Sequence, residues 1–194
     1  MLFRSHVTGV GSFPPVEDTV ELIAELVPGV EAVGTVYNSS EANSRKVVEV
    51  ARDIFKRAGI RLEEVTVTTT SDIHLAVQSL TQRGIQAVWV TGDNTVLQAF
   101  DAVVKVTTDA QLPLVINDPE FIARGALAAV GLGWYEAGFA GGEIASRVLA
   151  GESPADIPFS QVAVKKIILN DAMAKKLGVT FPAAMLESAA QIIR

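Results

Sequence analysis

The polar side chains best suited to binding a small molecule lie in four short segments, and each segment directly follows an apolar stretch. The segments are residues 38–44 (NSSEANS), 68–72 (TTTSD), 91–95 (TGDNT) and 117–118 (ND). Helix N-termini at such places offer free N–H groups to a carboxylate or phosphate. Glu41, Asp93 and Asp118 are acceptors suited to an ammonium or hydroxyl group. Helix capping alone explains Asn38, Ser40, Ser71 or Asp93 equally well. For Glu41 and Asp118 the alternative is that each is a solvated acid on the surface.

The residues that usually carry catalysis are scarce. The chain has no cysteine, and its only histidines are His6 and His74, neither of which follows a predicted strand. A Ser-His-Asp triad, a G-x-S-x-G elbow and a histidine-based metal cluster are therefore not expected. Residues 8–12 (TGVGS) resemble a glycine-rich phosphate loop, but no Lys-Ser or Lys-Thr follows. The sequence predicts no catalytic residue, no metal and no cofactor.

Composition narrows the class of protein further. The 194 residues are 49% hydrophobic and 20% charged, which is typical of a globular chain. The net charge is −6 and no run of basic residues occurs, so nucleic acid is not an expected partner. The opening MLFRSH lacks the apolar region of a secretory signal. We expect either a cytosolic protein or an N-terminus that is not the natural one.

The apolar segments predict an α/β fold. Strands are expected at 31–37, 63–70, 85–91, 112–118 and 127–133, with Trp89 in the core. Helices are expected at 16–27, 42–58, 72–82 and 96–108, with Ser71 or Asp72 capping the third of these. This alternation of strands and helices favours repeated βαβ units, and hence a parallel sheet in a three-layer αβα arrangement. In such sheets ligands bind at the carboxyl ends of the strands, where the four polar segments would meet.

The pattern changes after Gly133. Residues 134–151 predict a helix with small residues on one side and with Trp134 and Tyr135 packed. A strand is expected at 162–169, a short helix at 171–178 and a weakly amphipathic tail beyond it. The chain thus divides into residues 1–15, 16–130, 131–152 and 153–194.

Three stretches carry a resemblance to a known family: residues 7–44, which include YNSSEANS, residues 90–96 (VTGDNTV) and residues 125–158. The closing LNDAMAKKLGVTFP adds to them. The chain resembles the substrate-binding proteins of ABC transporters, closest to the group linked to tryptophan and other aromatic amino acids. That family has the type I periplasmic-binding-protein fold. The stretches Glu-Ala-Asn-Ser and Asp-Asn-Thr are its most specific parts.

The resemblance implies a C-terminal lobe. Residues 1–15 would be a crossover segment, 16–130 the ligand-binding lobe, 131–152 a helix crossing toward an absent first lobe, and 153–194 a returning strand with C-terminal helices. It implies a solute, expected to be an aromatic amino acid, at Asn38, Ser40, Glu41, Asp93 and Asn94. It also implies an ABC permease as partner and a periplasmic or lipid-anchored extracellular parent protein, although this chain shows no signal peptide.

Two other interpretations stay open from sequence. One is an enzyme on a Rossmann-like or flavodoxin-like sheet, with a nucleotide at TGVGS or at YNSSEANS. The other is a regulatory domain that senses a ligand, because one fold can serve several functions.

Overall fold

The central strands are buried at every position, and they belong to a seven-stranded sheet with order β3-β2-β4-β5-β6-β8-β9. The computed structural model describes residues 6–162 and 165–194. The strands of the sheet are β2 (Ala32–Asn38), β3 (Arg61–Val67), β4 (Ala87–Val90), β5 (Leu114–Ile116), β6 (Ala128–Leu132), β8 (Lys165–Asn170) and β9 (Gln191–Ile193). The pairs β2–β3, β2–β4, β4–β5, β5–β6 and β8–β9 are parallel. The predicted α/β class is confirmed.

Helices cover both faces of this sheet. They are α1 (Val16–Leu26), α2 (Ala42–Arg57), α3 (Ile73–Thr81), α4 (Asn94–Gln98), α5 (Phe100–Asp109), α7 (Asp171–Leu177) and α8 (Ala183–Ser188). Because successive side chains of a strand point to opposite faces, β4 contributes to two separate cores. Trp89 packs with α1 and α2, and its neighbours Val88 and Val90 pack with α3 and α5. The predicted three-layer arrangement follows directly from this alternation.

The chain divides into two compact units. One combines Pro14–Gly131 with Lys166–Arg194, and so contains nearly all of the sheet and the helices above. The other contains residues 6–13, 132–162 and 165. In this smaller unit β1 (Val10–Gly11) pairs with β7 (Ser160–Gln161), and Thr8 Oγ1 donates to the Ile157 carbonyl over 2.8 Å.

The long helix of the smaller unit is α6 (Trp134–Leu149), as predicted, but it contributes no residue to a hydrophobic core. None of its 16 described residues is buried. The expectation that Trp134 and Tyr135 are packed was wrong, because their side chains are 52% and 79% exposed. Across the described residues, no helix combines the length and the apolar character that spanning a membrane requires.

Several predicted boundaries moved for local reasons. The helix expected at 96–108 is two helices, because the backbone of Ala99 leaves helical geometry at φ −108° and ψ 27°. The segment after β5 forms a 3₁₀ helix, Pro119–Arg124. The tail adds the strand β9, which was not predicted.

The glycine-rich segment TGVGS forms β1. The backbone carbonyls of Gly9 and Gly11 accept from the N–H groups of Ser160 and Val162, so the segment is a paired strand rather than a phosphate loop. Of the strand expected at 162–169, residues 163 and 164 lie outside the described part.

Candidate functional site

The topology brings the four polar segments to one edge of the sheet. Strands β3, β2, β4 and β5 are consecutive neighbours and run in the same direction. Their carboxyl ends lead directly into residues 68–72, 38–44, 91–95 and 117–118. The segments therefore follow one another along this carboxyl edge, as the sequence predicted.

Asp93 joins the end of β4 to the end of β2. Its Oδ1 accepts from the Val96 N–H at 2.9 Å and so caps α4, the capping role expected from sequence. Its Oδ2 accepts from the Asn38 N–H at 2.8 Å. The residue is 0% exposed. The sequence also suggested that Asp93 could accept from the ammonium group of a ligand. Neither carboxylate oxygen of Asp93 is exposed in this structure, so neither is available to a ligand.

Glu41 makes the reverse connection, from the loop after β2 to the start of α4. Its Oε1 accepts from the backbone N–H of Thr95 at 3.0 Å and from the Thr95 hydroxyl at 2.8 Å. Its Oε2 accepts from the backbone N–H of Asn94 at 3.1 Å and from Nδ2 of Asn94 at 2.8 Å. Partial burial acts to raise the pKa of Glu41, but these hydrogen bonds outweigh it and lower the pKa below the ordinary glutamate value.

The remaining predicted residues belong to the same network. Asn38 donates from Nδ2 to the Thr95 hydroxyl at 2.9 Å, and its Oδ1 accepts from the Ser40 N–H at 2.8 Å. Asn38 is buried, whereas Ser40 and Asn94 are exposed. The structure thus brings all five predicted site residues together, and it divides them into an inner set and an exposed set.

The end of β5 contributes one inward and one outward residue. Asn117 is buried; its Oδ1 accepts from Trp89 Nε1 at 2.7 Å, and its Nδ2 donates to Thr19 Oγ1 and to the Val130 carbonyl, each at 2.8 Å. Asp118 is partly exposed and caps the 3₁₀ helix by accepting from the Glu120 N–H at 3.2 Å. Burial raises the pKa of Asp118 above the usual aspartate range. Asn117 is therefore a core residue, and Asp118 is the acid at this strand end with exposed surface.

The segment after β3 is exposed, and its side-chain hydrogen bonds join residues within the segment itself. Thr69 Oγ1 donates to Asp72 Oδ2 at 2.8 Å and lies 2.7 Å from the Ser71 hydroxyl. The expected side-chain cap on α3 is absent at Asp72, which occupies the N-cap position in αR geometry. In αR geometry the Asp72 side chain does not accept from the first turn, so that capping prediction was wrong.

Sequence reasoning missed one group beside the edge. The Arg52 guanidinium donates to both oxygens of Glu64, at 2.7 and 2.8 Å, and the Tyr37 hydroxyl donates to Glu64 Oε2 at 3.1 Å. These bonds tie α2 to β3. Burial and the adjacent Glu64 carboxylate raise the pKa of Tyr37. An Arg on a helix and a Glu on the following strand were the available signal, but sequence spacing alone does not fix such a pair.

Nothing in the described part of the chain forms a metal site, because no group of three or more His, Asp or Glu side chains there could hold an ion. The arrangement at the carboxyl edge consists of exposed hydroxyl, amide and backbone groups held by the buried Asp93 and the partly buried Glu41. Such an arrangement can bind a polar molecule, and it presents no paired nucleophile and base.

Comparison with known proteins gives consistent matches over almost the whole chain. A tyrosine-binding protein of Clostridioides difficile is 30% identical over 172 residues, which are 89% of this chain and 50% of that protein. A Streptococcus structure described as an ABC domain in complex with L-Trp is 34% identical, with a TM-score of 0.87, over 96% of this chain and 65% of the other. A conserved domain protein of Vibrio cholerae is 30% identical, with a TM-score of 0.88, over 96% and 62% respectively.

The chain spans about half the length of the curated relatives it matches. The type I periplasmic-binding-protein fold, implied by the resemblance, is shared with these structural neighbours. The model for the family of ABC transporter substrate-binding proteins matches residues 3–193. Proteins of this family bind substrates and are not enzymes. The chain belongs to the ABC transporter substrate-binding protein family.

Proposed function

We propose that this chain provides one wall of the solute site in the substrate-binding component of an ABC importer, and that the solute is an aromatic amino acid. The observation that carries the proposal is the connected network at the carboxyl edge, which unites the five residues expected at the site. The tyrosine-binding relative and the L-Trp complex support the class of solute.

The chemistry of the edge suits an uncharged or zwitterionic solute better than a strongly charged one. Ser40 and Asn94 are exposed and offer a hydroxyl and an amide, and Asp118 offers a partly exposed carboxyl. The hydroxyl and the amide can bond to either the ammonium or the carboxylate of an amino acid, and the Asp118 carboxylate can accept from the ammonium. The compact unit that holds these residues is the ligand-binding lobe of this proposal.

The partner and the location follow from the same proposal. A substrate-binding component delivers its solute to an ABC permease and works in the periplasm or, lipid-anchored, at the cell surface. A solute held by one wall keeps contact with water, whereas a closed site desolvates its charges and strengthens each interaction. We therefore expect this chain alone to bind weakly, and a two-lobe protein containing it to bind more tightly.

Calorimetry tests the proposal on two proteins. One is this chain, and the other is a chimera in which this chain follows the first lobe of the L-Trp-bound Streptococcus relative. Tryptophan, tyrosine and phenylalanine are titrated into both, with glutamate and glucose as comparison solutes. Binding of an aromatic amino acid to the chimera, weaker in the chain alone, is the expected result. A chimera that folds and binds none of these solutes would refute the proposal.

A further inference from the structure

We propose that Glu41 and Asp93 are positioning residues of the solute site, and that neither carboxylate contacts the solute. Together they form a reciprocal clamp between the loop after β2 and the loop after β4. This inference rests on the proposed function, since it concerns the same site. It assigns solute contact to the exposed groups that the clamp holds in place.

Asp93 is unable to reach a solute from its place in the fold. The residue is 0% exposed, and its two oxygens accept from the N–H groups of Asn38 and Val96 at 2.8 and 2.9 Å. A solute donor would have to displace a backbone hydrogen bond and leave that N–H unpaired in the interior. Leaving a buried donor unpaired is costly, so the native bonds persist.

The hydrogen-bonding capacity of the Glu41 carboxylate is already filled by neighbouring groups. A carboxylate offers about four lone-pair positions, and Glu41 accepts four hydrogen bonds, two at each oxygen. Both oxygens receive one backbone N–H and one side-chain donor, from Thr95 and Asn94 respectively. A solute ammonium could bond to Glu41 only by breaking one of these four bonds.

The two acids act in opposite directions across neighbouring strands. Asp93 belongs to the β4 loop and holds the backbone of Asn38 at the end of β2. Glu41 belongs to the β2 loop and holds the backbone of Asn94 and Thr95 at the start of α4. This crossed pair fixes the distance between exposed Ser40 and exposed Asn94. Preorganisation of that kind strengthens binding without adding a contact.

A positioning role and a direct contact predict different responses to solute chemistry. If Glu41 bonded to the solute ammonium, its removal would weaken the binding of tryptophan but not of indole-3-propionate, which lacks that group. If Glu41 positions the loops, its removal weakens both solutes by the same factor. The comparison therefore separates the two roles within one variant.

The experiment titrates L-tryptophan and indole-3-propionate into the full chain and its variants, with binding followed by NMR. We expect Glu41→Ala to weaken both solutes about tenfold, which corresponds to the loss of one charged hydrogen-bond network. Glu41→Gln should lose less, because its amide oxygen still accepts two of the four bonds. Glu49→Ala is the matched control: it removes the same side chain from the exposed face of α2, where the Glu49 side chain is 63% exposed, and should leave both affinities unchanged.

Amide hydrogen exchange at Asn94 and Thr95 gives a second readout that needs no solute. Both amides should exchange faster in Glu41→Ala and at the native rate in Glu49→Ala, at matched overall stability. A loss of affinity confined to tryptophan would overturn the positioning role, as would unchanged exchange at both amides. If the native chain binds neither solute detectably, the same variants are compared in the two-lobe chimera. A chimera that also binds neither solute means that the proposed function fails, and the exchange rates at Asn94 and Thr95 still decide whether the clamp exists.

Discussion

Oε2 of Glu41 lies 2.8 Å from Nδ2 of Asn94, although 53 positions separate the two residues in the chain. The contact exists because β2 and β4 are neighbours in the sheet, so that the loops after them meet. It turns two separate sequence motifs, NSSEANS and GDNT, into one connected surface.

The clamp should make stability depend on acid pH. The folded-state pKa of Glu41 is lowered, so its carboxylate stabilises the fold above the unfolded value of about 4.5, and this contribution is lost as the pH falls through the lower folded pKa. Glu41→Gln should therefore lower the free energy of unfolding by about 1 kcal/mol at pH 7, and by progressively less below pH 4.5. Urea unfolding of both proteins across this range measures the difference. A cost that is the same at pH 7 and at pH 3 would contradict the assignment.

Asn117 should be the most sensitive polar residue of the core. Its replacement by alanine leaves the Trp89 indole N–H and the Val130 carbonyl without their buried partner. We expect Asn117→Ala to lower the free energy of unfolding by about 3 kcal/mol, measured by urea denaturation. Asp118→Ala, at the adjacent partly exposed position, is the control and should cost about 1 kcal/mol. Equal losses at the two positions would argue against the buried network.

Gly131 should tolerate no side chain. A Cβ there would meet the backbone oxygen of Asn117 at 2.4 Å and Cδ of Pro119 at 2.5 Å. Because a backbone atom cannot turn away, Gly131→Ala should destabilise the chain by about 1–3 kcal/mol in urea unfolding. Gly142→Ala offers the matched control, since it adds the same methyl group in open space within α6 and should be neutral or stabilising by up to about 1 kcal/mol. A neutral Gly131→Ala would show that the contact is looser than described.

The two tryptophans should differ in their access to solvent. Trp89 is 0% exposed and Trp134 is 52% exposed. Iodide should therefore quench only the fluorescence of Trp134, and Trp134→Phe should remove the quenchable part. If Trp134 is protected from iodide in the native chain, then its indole is covered in solution, and the exposure of α6 described above is wrong.

The sequence predicts most of the larger unit because its signals are local. The apolar runs of β2 and β4, the prolines before α1 and Gly59 after α2 each act within a few residues. The break at Ala99 and the added strand β9 were not foreseen. Strand β9 forms by pairing with β8, a contact between separate segments that no local pattern encodes.

The sequence predicted which residues lie together at the candidate site. It did not predict which of them are buried and which are exposed. Strand order places Asn38 beside Asp93, and the sequence supports that placement. Which acid turns inward is decided by contacts between loops, such as the Asn38 N–H with Asp93, and a sequence shows only that both residues are polar. Trp134 was misjudged for the opposite reason: an aromatic residue at the start of a helix suggests packing, yet the described chain supplies no core beneath α6.

An NMR titration of the isotopically labelled chain with L-tryptophan locates the solute site. We expect the amide signals of Ser40, Gly92 and Asn94 to shift as the solute is added. The amide of Asn170, whose N–H bonds to the Leu127 carbonyl just before β6, should not shift. Shifts that appear around Asn170 and not around Ser40 and Asn94 would contradict a solute site at the carboxyl edge.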